Sequence, residues 1–164
     1  ALVLFLLEAV NAGLSLLAAF FSSLGVAVGA VNALSQLAAL SLVGGARYLA
    51  AFEPGQLQAM ALLSLKLNAQ GSDIGLIFFG FYCLLIGYLI FRSTFLPRTV
   101  GVLMAIAGLC YLINSFAYFL SPGFGGHLVP YIFIPSVLGE AALTLWLLVF
   151  GVNVQKWGQM AHEP

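Results

Sequence analysis

Six side chains carry most of the chemistry open to this sequence: Asn32, Gln36, Asp73, Tyr82, Asn114 and Glu140. Glu140 is the most informative, because it stands alone in the apolar run SVLGEAALTLWLL (136–148). A charged acid deep in hydrocarbon costs on the order of 2.5–3.5 kcal/mol or more. The carboxyl is therefore expected to keep its proton and to hydrogen-bond to an amide such as Asn32 or Asn114. Two roles fit it. One is a clamp between helices, worth about 0.6 and up to about 2 kcal/mol. The other is a ligand or proton site in a cavity that opens outward.

Other chemistries find little support. Cys83 and Cys110 lie in apolar runs without a CxxC, and His127 and His162 are not at ligand spacing, so no metal site is expected. Free, packed thiols are the ordinary reading of such cysteines. His127 reads as a solvated loop histidine and His162 as an inert tail residue. Ser22, Ser23 and Ser41 have no partner that would activate a nucleophile. No phosphate-cradling or dinucleotide-binding glycine motif occurs. The sequence thus predicts no enzyme and no cofactor.

The elements that must hold these residues follow from composition. Hydrophobic residues make up 63% of the 164-residue chain and charged residues 6%, against roughly 25% charged in soluble proteins. Ten charges do not cover a soluble fold of this size. The lipid bilayer is the expected partner. A net charge of zero without a basic block speaks against nucleic acid and against recognition of anionic lipid.

Positions 9–46, 74–91 and 99–139 carry no charged side chain, and a span needs about 20 residues. The chain begins inside an apolar run, so residues 1–7 are expected to be the end of a helix truncated at its start. After the turn formers Asn11 and Gly13, one long helix is expected over 14–43, roughly 45 Å at the helical rise. Division at Ser22–Ser23 is the alternative. Residues 44–55 read as a loop and 56–71 as an interfacial or protruding helix. Gly71, Ser72 and Asp73 then offer a break and an N-cap. Further spans are expected over 74–92, 98–120 and 131–154, joined by the turn 92–98 and the Gly/Pro turn 121–127. Trp157 in the tail reads as an interface anchor. This is an all-α, polytopic transmembrane helical bundle forming a single domain over 1–164, with four full spans and the end of a preceding one.

Small residues predict which faces pack. Gly25 and Gly29 form a GxxxG, a possible site for a partner helix, and the same stripe continues to Asn32 and Gln36. Gly80, Cys83 and Gly87 form a second stripe, Gly101, Ala105, Gly108 and Ser115 a third, and Ser136, Glu140, Thr144 and Gly151 a fourth. At about 1.5 Å per residue, Asn32, Tyr82 and Glu140 fall roughly 10–12 Å below the outer surface. Gln36 and Asn114 are shallower on the same side, and Asp73 is at the mouth. The six residues are therefore the candidate binding site, a polar pocket in the outer half of the bundle.

The stretch DIGLIFFGFYCLLIGYLIFRSTFLPRTVGVLMAIAGLCYLINSFA (73–117), followed by GEAALTLWLLVFGVN (139–153), resembles prokaryotic membrane proteins catalogued as domain of unknown function 4386. The similarity also takes in residues 48–75. Asp73, Arg92, Pro97, Arg98, Gly139, Glu140 and Trp146 carry it. It implies a bundle of about six spans, of which this chain would hold the last four and the end of the second. It also implies a basic residue near Ser22 and a histidine near Asn68, where this chain is neutral. No activity comes with the resemblance.

The leading expectation is a small binding or transport-like protein with an outer-half pocket, its ligand undefined. A structural or interaction subunit without ligand is the alternative from another class. The expected location is the bacterial cytoplasmic membrane. Arg92, Arg98 and Lys156 on one side, against Arg47 and Lys66 on the other, put the C-terminus in the cytoplasm by the positive-inside rule.

Overall fold

The computed structural model describes residues 2–45 and 47–162, and is helical with short connections. The helices are α1 (Leu2–Glu8), α2 (Ala12–Val43), α3 (Pro54–Arg92), α4 (Arg98–Leu120), α5 (Pro122–Leu128), α6 (Phe133–Val149) and α7 (Val154–His162). A single 3-10 turn, Arg47–Leu49, interrupts the α2–α3 connection. Among the described residues, α2, α3 and α4 are long and apolar enough to cross a membrane. α5 and α6, bent by 50° at their junction, make a fourth crossing if taken as one broken span. The chain is an all-α bundle of a multi-pass membrane protein. The side chain of His162 lies outside the described residues.

Local signals set the helix ends. Asn11 caps α2 by accepting the Leu14 N–H at 2.8 Å, which satisfies one of the orphan donors of the first turn. Pro54 opens α3, and the Gln56 side chain reaches back to the Glu53 N–H at 3.1 Å. Gly151, at φ +68°, ends α6 in the left-handed region that suits glycine.

The expected break at Gly71–Asp73 is absent, because α3 runs through it without interruption. Tertiary pairing with α2 explains the difference. Asn32 Nδ2 donates to the Asn68 carbonyl at 2.8 Å and to Ser72 Oγ at 3.0 Å. Gly71 is the residue that lets the Asn32 side chain lie against the α3 backbone, since a Cβ there would collide with it. The stretch 121–127, expected as a turn, is helical from Pro122, as α5 (Pro122–Leu128). The last span is also shorter than the 131–154 expected, ending at Val149 before a separate α7. Trp157 is no free anchor: its Nε1 donates to the Leu6 carbonyl at 3.0 Å, which ties α7 to α1.

Neighbouring helices pack antiparallel. At the α3–α4 seam, a Cβ on Gly87 would meet the Gly101 carbonyl and the Ala105 nitrogen at 2.7 Å. One on Gly108 would meet the Gly80 carbonyl at 2.7 Å. α6 joins α4 through Gly139, against the Leu103 carbonyl, and through Ser136, whose Oγ donates to the Ala107 carbonyl at 3.3 Å. The buried face of α6 is thus Ser136, Gly139 and Leu143. Glu140 lies beside that face, Thr144 is exposed, and Gly151 serves the turn rather than the seam. On α2, Gly25 packs on Gly75 and Phe78 of α3 within the same chain, whereas Gly29 has open space in front of it.

Apolar packing is densest near the 92–98 turn, where Leu7, Ile86, Leu89, Ile90, Phe95, Leu96 and Val100 cluster. The opposite end is different. The register of Gly80 with Gly108 and of Gly87 with Gly101 sets the end of α4 level with about residue 68 of α3. The α2–α3 hairpin therefore continues roughly 20 Å past it.

Gly87→Ala forces a methyl into rigid backbone, so it is expected to destabilise the bundle by about 1–3 kcal/mol. Gly158→Ala, with nothing within 4 Å of the added carbon, is expected to be neutral or to stabilise by about 0.5–1 kcal/mol. Denaturant titration in mixed micelles checks both.

Candidate functional site

The six residues picked out by sequence do not meet in one pocket; they fall into three sets. The first lies between α2 and α3. Asn32 bonds to Asn68 and Ser72 as described, Asn68 Nδ2 returns a bond to the Asn32 carbonyl at 3.1 Å, and Gln36 Nε2 donates to Asn68 Oδ1 at 3.2 Å. These amides sit at one end of a groove of about 460 Å³ lined by both helices. Toward the other end the lining turns apolar, through Gly25, Val26, Gly29, Leu76 and Phe79. Antiparallel packing sets this order: Gln36 and Asn68 share one end, and Phe79 lies toward the other together with Ser22, the one hydroxyl there.

The second set belongs to Glu140. Its carboxyl accepts the Tyr111 hydroxyl at 2.5 Å, so its partner is a phenol on α4 and not the amide of Asn32 or Asn114. Asn32 is engaged on α3 and Asn114 with Asp73. Tyr111 stands edge-on to Phe79 with centroids 5.3 Å apart, and Tyr82 stacks on Phe79 at 5.6 Å. Phe133 adds a ring to Tyr111 at 5.9 Å. Phe79 is also a wall of the groove. An aromatic layer therefore stands between the groove and the Glu140 carboxyl, and Tyr82 contributes to that layer rather than to the groove.

The third set is Asp73 with Asn114, whose Nδ2 lies 3.4 Å from Asp73 Oδ1 across the α3–α4 seam. Both are buried. His127 is exposed on α5 with Nδ1 2.6 Å from the Gly123 carbonyl. Cys83 and Cys110 are free thiols, the first buried and the second half-buried.

Sequence reading missed Asn68, Ser72 and Tyr111. Asn68 fell in the stretch taken as interfacial and Ser72 in the expected break after it, although their spacing of four along a helix put them on one face. Tyr111 carried no such signal. Ser22 and Asn68, the two positions where this chain departs from the pattern implied by resemblance, both line the groove.

Comparison with known proteins bears on what this arrangement belongs to. A family model described as a domain of unknown function, DUF4386, matches residues 1–151. The chain is a member of that family. An uncharacterized protein of Archaeoglobus fulgidus is 33% identical to this DUF4386 chain over 92 residues, 56% of the chain and 51% of that protein. The match thus spans about half of the archaeal relative. No solved structure matches at a significant level.

In this DUF4386 protein, the Tyr111–Glu140 pair is expected to behave as an interhelical clamp. A double-mutant cycle with Tyr111→Phe and Glu140→Leu should give a coupling of about 0.6 and up to about 1.7 kcal/mol. Glu140→Gln should keep most of it, since the amide oxygen still accepts from the phenol. Unfolding free energies of the four proteins in micelles provide the measurement, and zero coupling would remove the clamp.

Proposed function

We propose that this protein binds a small amphipathic molecule in the groove between α2 and α3. The supporting observation is the uneven lining: three amides and Ser72 at one end, and toward the other glycines, Val26, Leu76 and Phe79 with Ser22 as the one hydroxyl. Ligand sites of about 300–1,000 Å³ commonly combine an apolar wall with a few convergent polar groups, and a groove of about 460 Å³ falls in that range. Asn32, Gln36, Asn68 and Ser72 would orient a polar head, and the surface from Gly25 to Phe79 would take the apolar part. Gly29 matters because the absence of a side chain leaves the groove open.

A second reading, a membrane subunit that binds no ligand, gains support from Glu140, whose carboxyl is taken by Tyr111. One experiment separates the two. Native mass spectrometry of the protein extracted in mild detergent is expected to show a retained amphiphile. Gly29→Trp, whose Cβ would meet nothing within 4 Å and whose ring would occupy the groove, is expected to cut that occupancy about tenfold or more, equivalent to about 1.4 kcal/mol, at an unchanged thermal midpoint. Equal retention in both proteins, or retention in neither, removes the groove as a binding site.

Within this proposal the membrane is a prokaryotic cytoplasmic membrane; a bacterial source, expected from sequence, belongs to the proposal, because the relative named above is archaeal. The 92–98 turn and α7 would face the cytoplasm. The two lie together, with the Asn153 N–H 3.4 Å from the Phe95 carbonyl, which gathers Arg92, Arg98 and Lys156 at one end. A fluorescent reporter fused to the C-terminus is expected to be active and a phosphatase reporter, which needs the periplasm, inactive. The reverse pattern inverts the topology.

A further inference from the structure

Asp73, Asn114 and Ser115 form a polar cluster that the groove does not use. The α3–α4 register brings them together. Gly87 faces Gly101, and Gly80 faces Gly108, seven residues along each helix in opposite directions. A further step of seven sets Asp73 opposite Ser115. All three residues are buried, with 9% of Asp73, 3% of Asn114 and none of Ser115 exposed.

The cluster is not satisfied from within. The Asn114–Asp73 contact of 3.4 Å is long for a hydrogen bond. Asn114 Oδ1 and Ser115 Oγ are buried and have no hydrogen-bond partner among the described residues. Buried polar atoms are almost always paired, because an unmade bond forfeits the hydration lost on burial. What this cluster lacks is positive charge. It presents a carboxylate, an amide oxygen and a hydroxyl, with one formal negative charge. Arg92 and Arg98 stand at the opposite end of the same two helices, and Lys66 is exposed two turns away along α3.

An oxygen-only donor set selects a hard cation over a transition metal, which prefers nitrogen or sulfur. A divalent ion would leave an uncompensated charge buried, whereas a monovalent ion is balanced by Asp73. A half-turn of the Asn114 amide puts oxygen in place of nitrogen on the Asp73 side. The geometry points to a monovalent alkali-cation site, held by the Asp73 carboxylate, Asn114 Oδ1 and Ser115 Oγ, at the outer end of the α3–α4 seam.

The test uses the full chain in a neutral detergent, with its thermal midpoint followed by tryptophan fluorescence. NaCl and KCl are titrated against choline chloride at constant ionic strength. At least one of the two alkali ions is expected to raise the midpoint saturably, by about 5 °C near saturation. Asp73→Asn and Ser115→Ala are each expected to abolish that rise. Superimposable curves for NaCl, KCl and choline chloride overturn the site, as does a rise that survives in Asp73→Asn. Should Asp73→Asn fail to fold, the wild-type titration together with Ser115→Ala decides the matter.

Discussion

Close backbone contact between α3 and α4 underlies the rest of this structure. Lipid tails are as apolar as leucine, so helices in a membrane gain little from burying leucine against each other and much from fitting closely. Gly80, Gly87, Gly101 and Gly108 remove the side chains that would hold the two backbones apart. Once those four positions are in contact, the register of the pair has no freedom. That register brings Asp73 level with Ser115 and leaves the α2–α3 hairpin projecting beyond α4. It also sets Tyr111 where α6 can deliver Glu140 to it.

The same solvent governs the polar groups. Hydrocarbon offers no hydrogen bonds, so each polar side chain must find a partner within reach of its own helix pair. Asn32 and Gln36 find Asn68 and Ser72 across the α2–α3 seam, and Glu140 finds Tyr111 across the α4–α6 side. This explains why the six polar residues expected to line one pocket do not converge on it. Depth is a property of position along a helix, but partnership depends on which helices are neighbours. Phe79, Tyr82 and Tyr111 fill the space between the two sets with one stacked and one edge-on ring pair. The groove and the clamp are thereby kept apart, one open and one closed.

Membership of the DUF4386 family brings architecture without activity. The functional reading therefore rests on the groove itself. Its distinguishing feature is the order of its lining, with the amides of Asn32, Gln36 and Asn68 gathered at one end and a mostly apolar wall toward the other, produced by the antiparallel packing of α2 and α3. The ligand proposed for it is accordingly polar at one end and apolar at the other.

Much of the architecture was legible in residue types alone. The charge-free stretches marked where the long helices run, because lipid tolerates so few charges, and the glycine stripes on α3 and α4 named both faces of their seam. What residue types did not carry was any pairing between distant segments. The helix break expected at Gly71–Asp73 was a sound local signal, but Asn32, 39 positions upstream of Gly71, holds that segment helical. Tyr111 as the partner of Glu140, and the separation of Asn32 from Asn114, arise from the order in which α2, α3, α4 and α6 pack. Composition and local spacing thus determined the solvent, the helices and their sticky faces, since these depend on a residue and its near neighbours in the chain. Tertiary structure alone decided which polar group meets which, because that depends on contacts between segments whose relative placement no short stretch of sequence encodes.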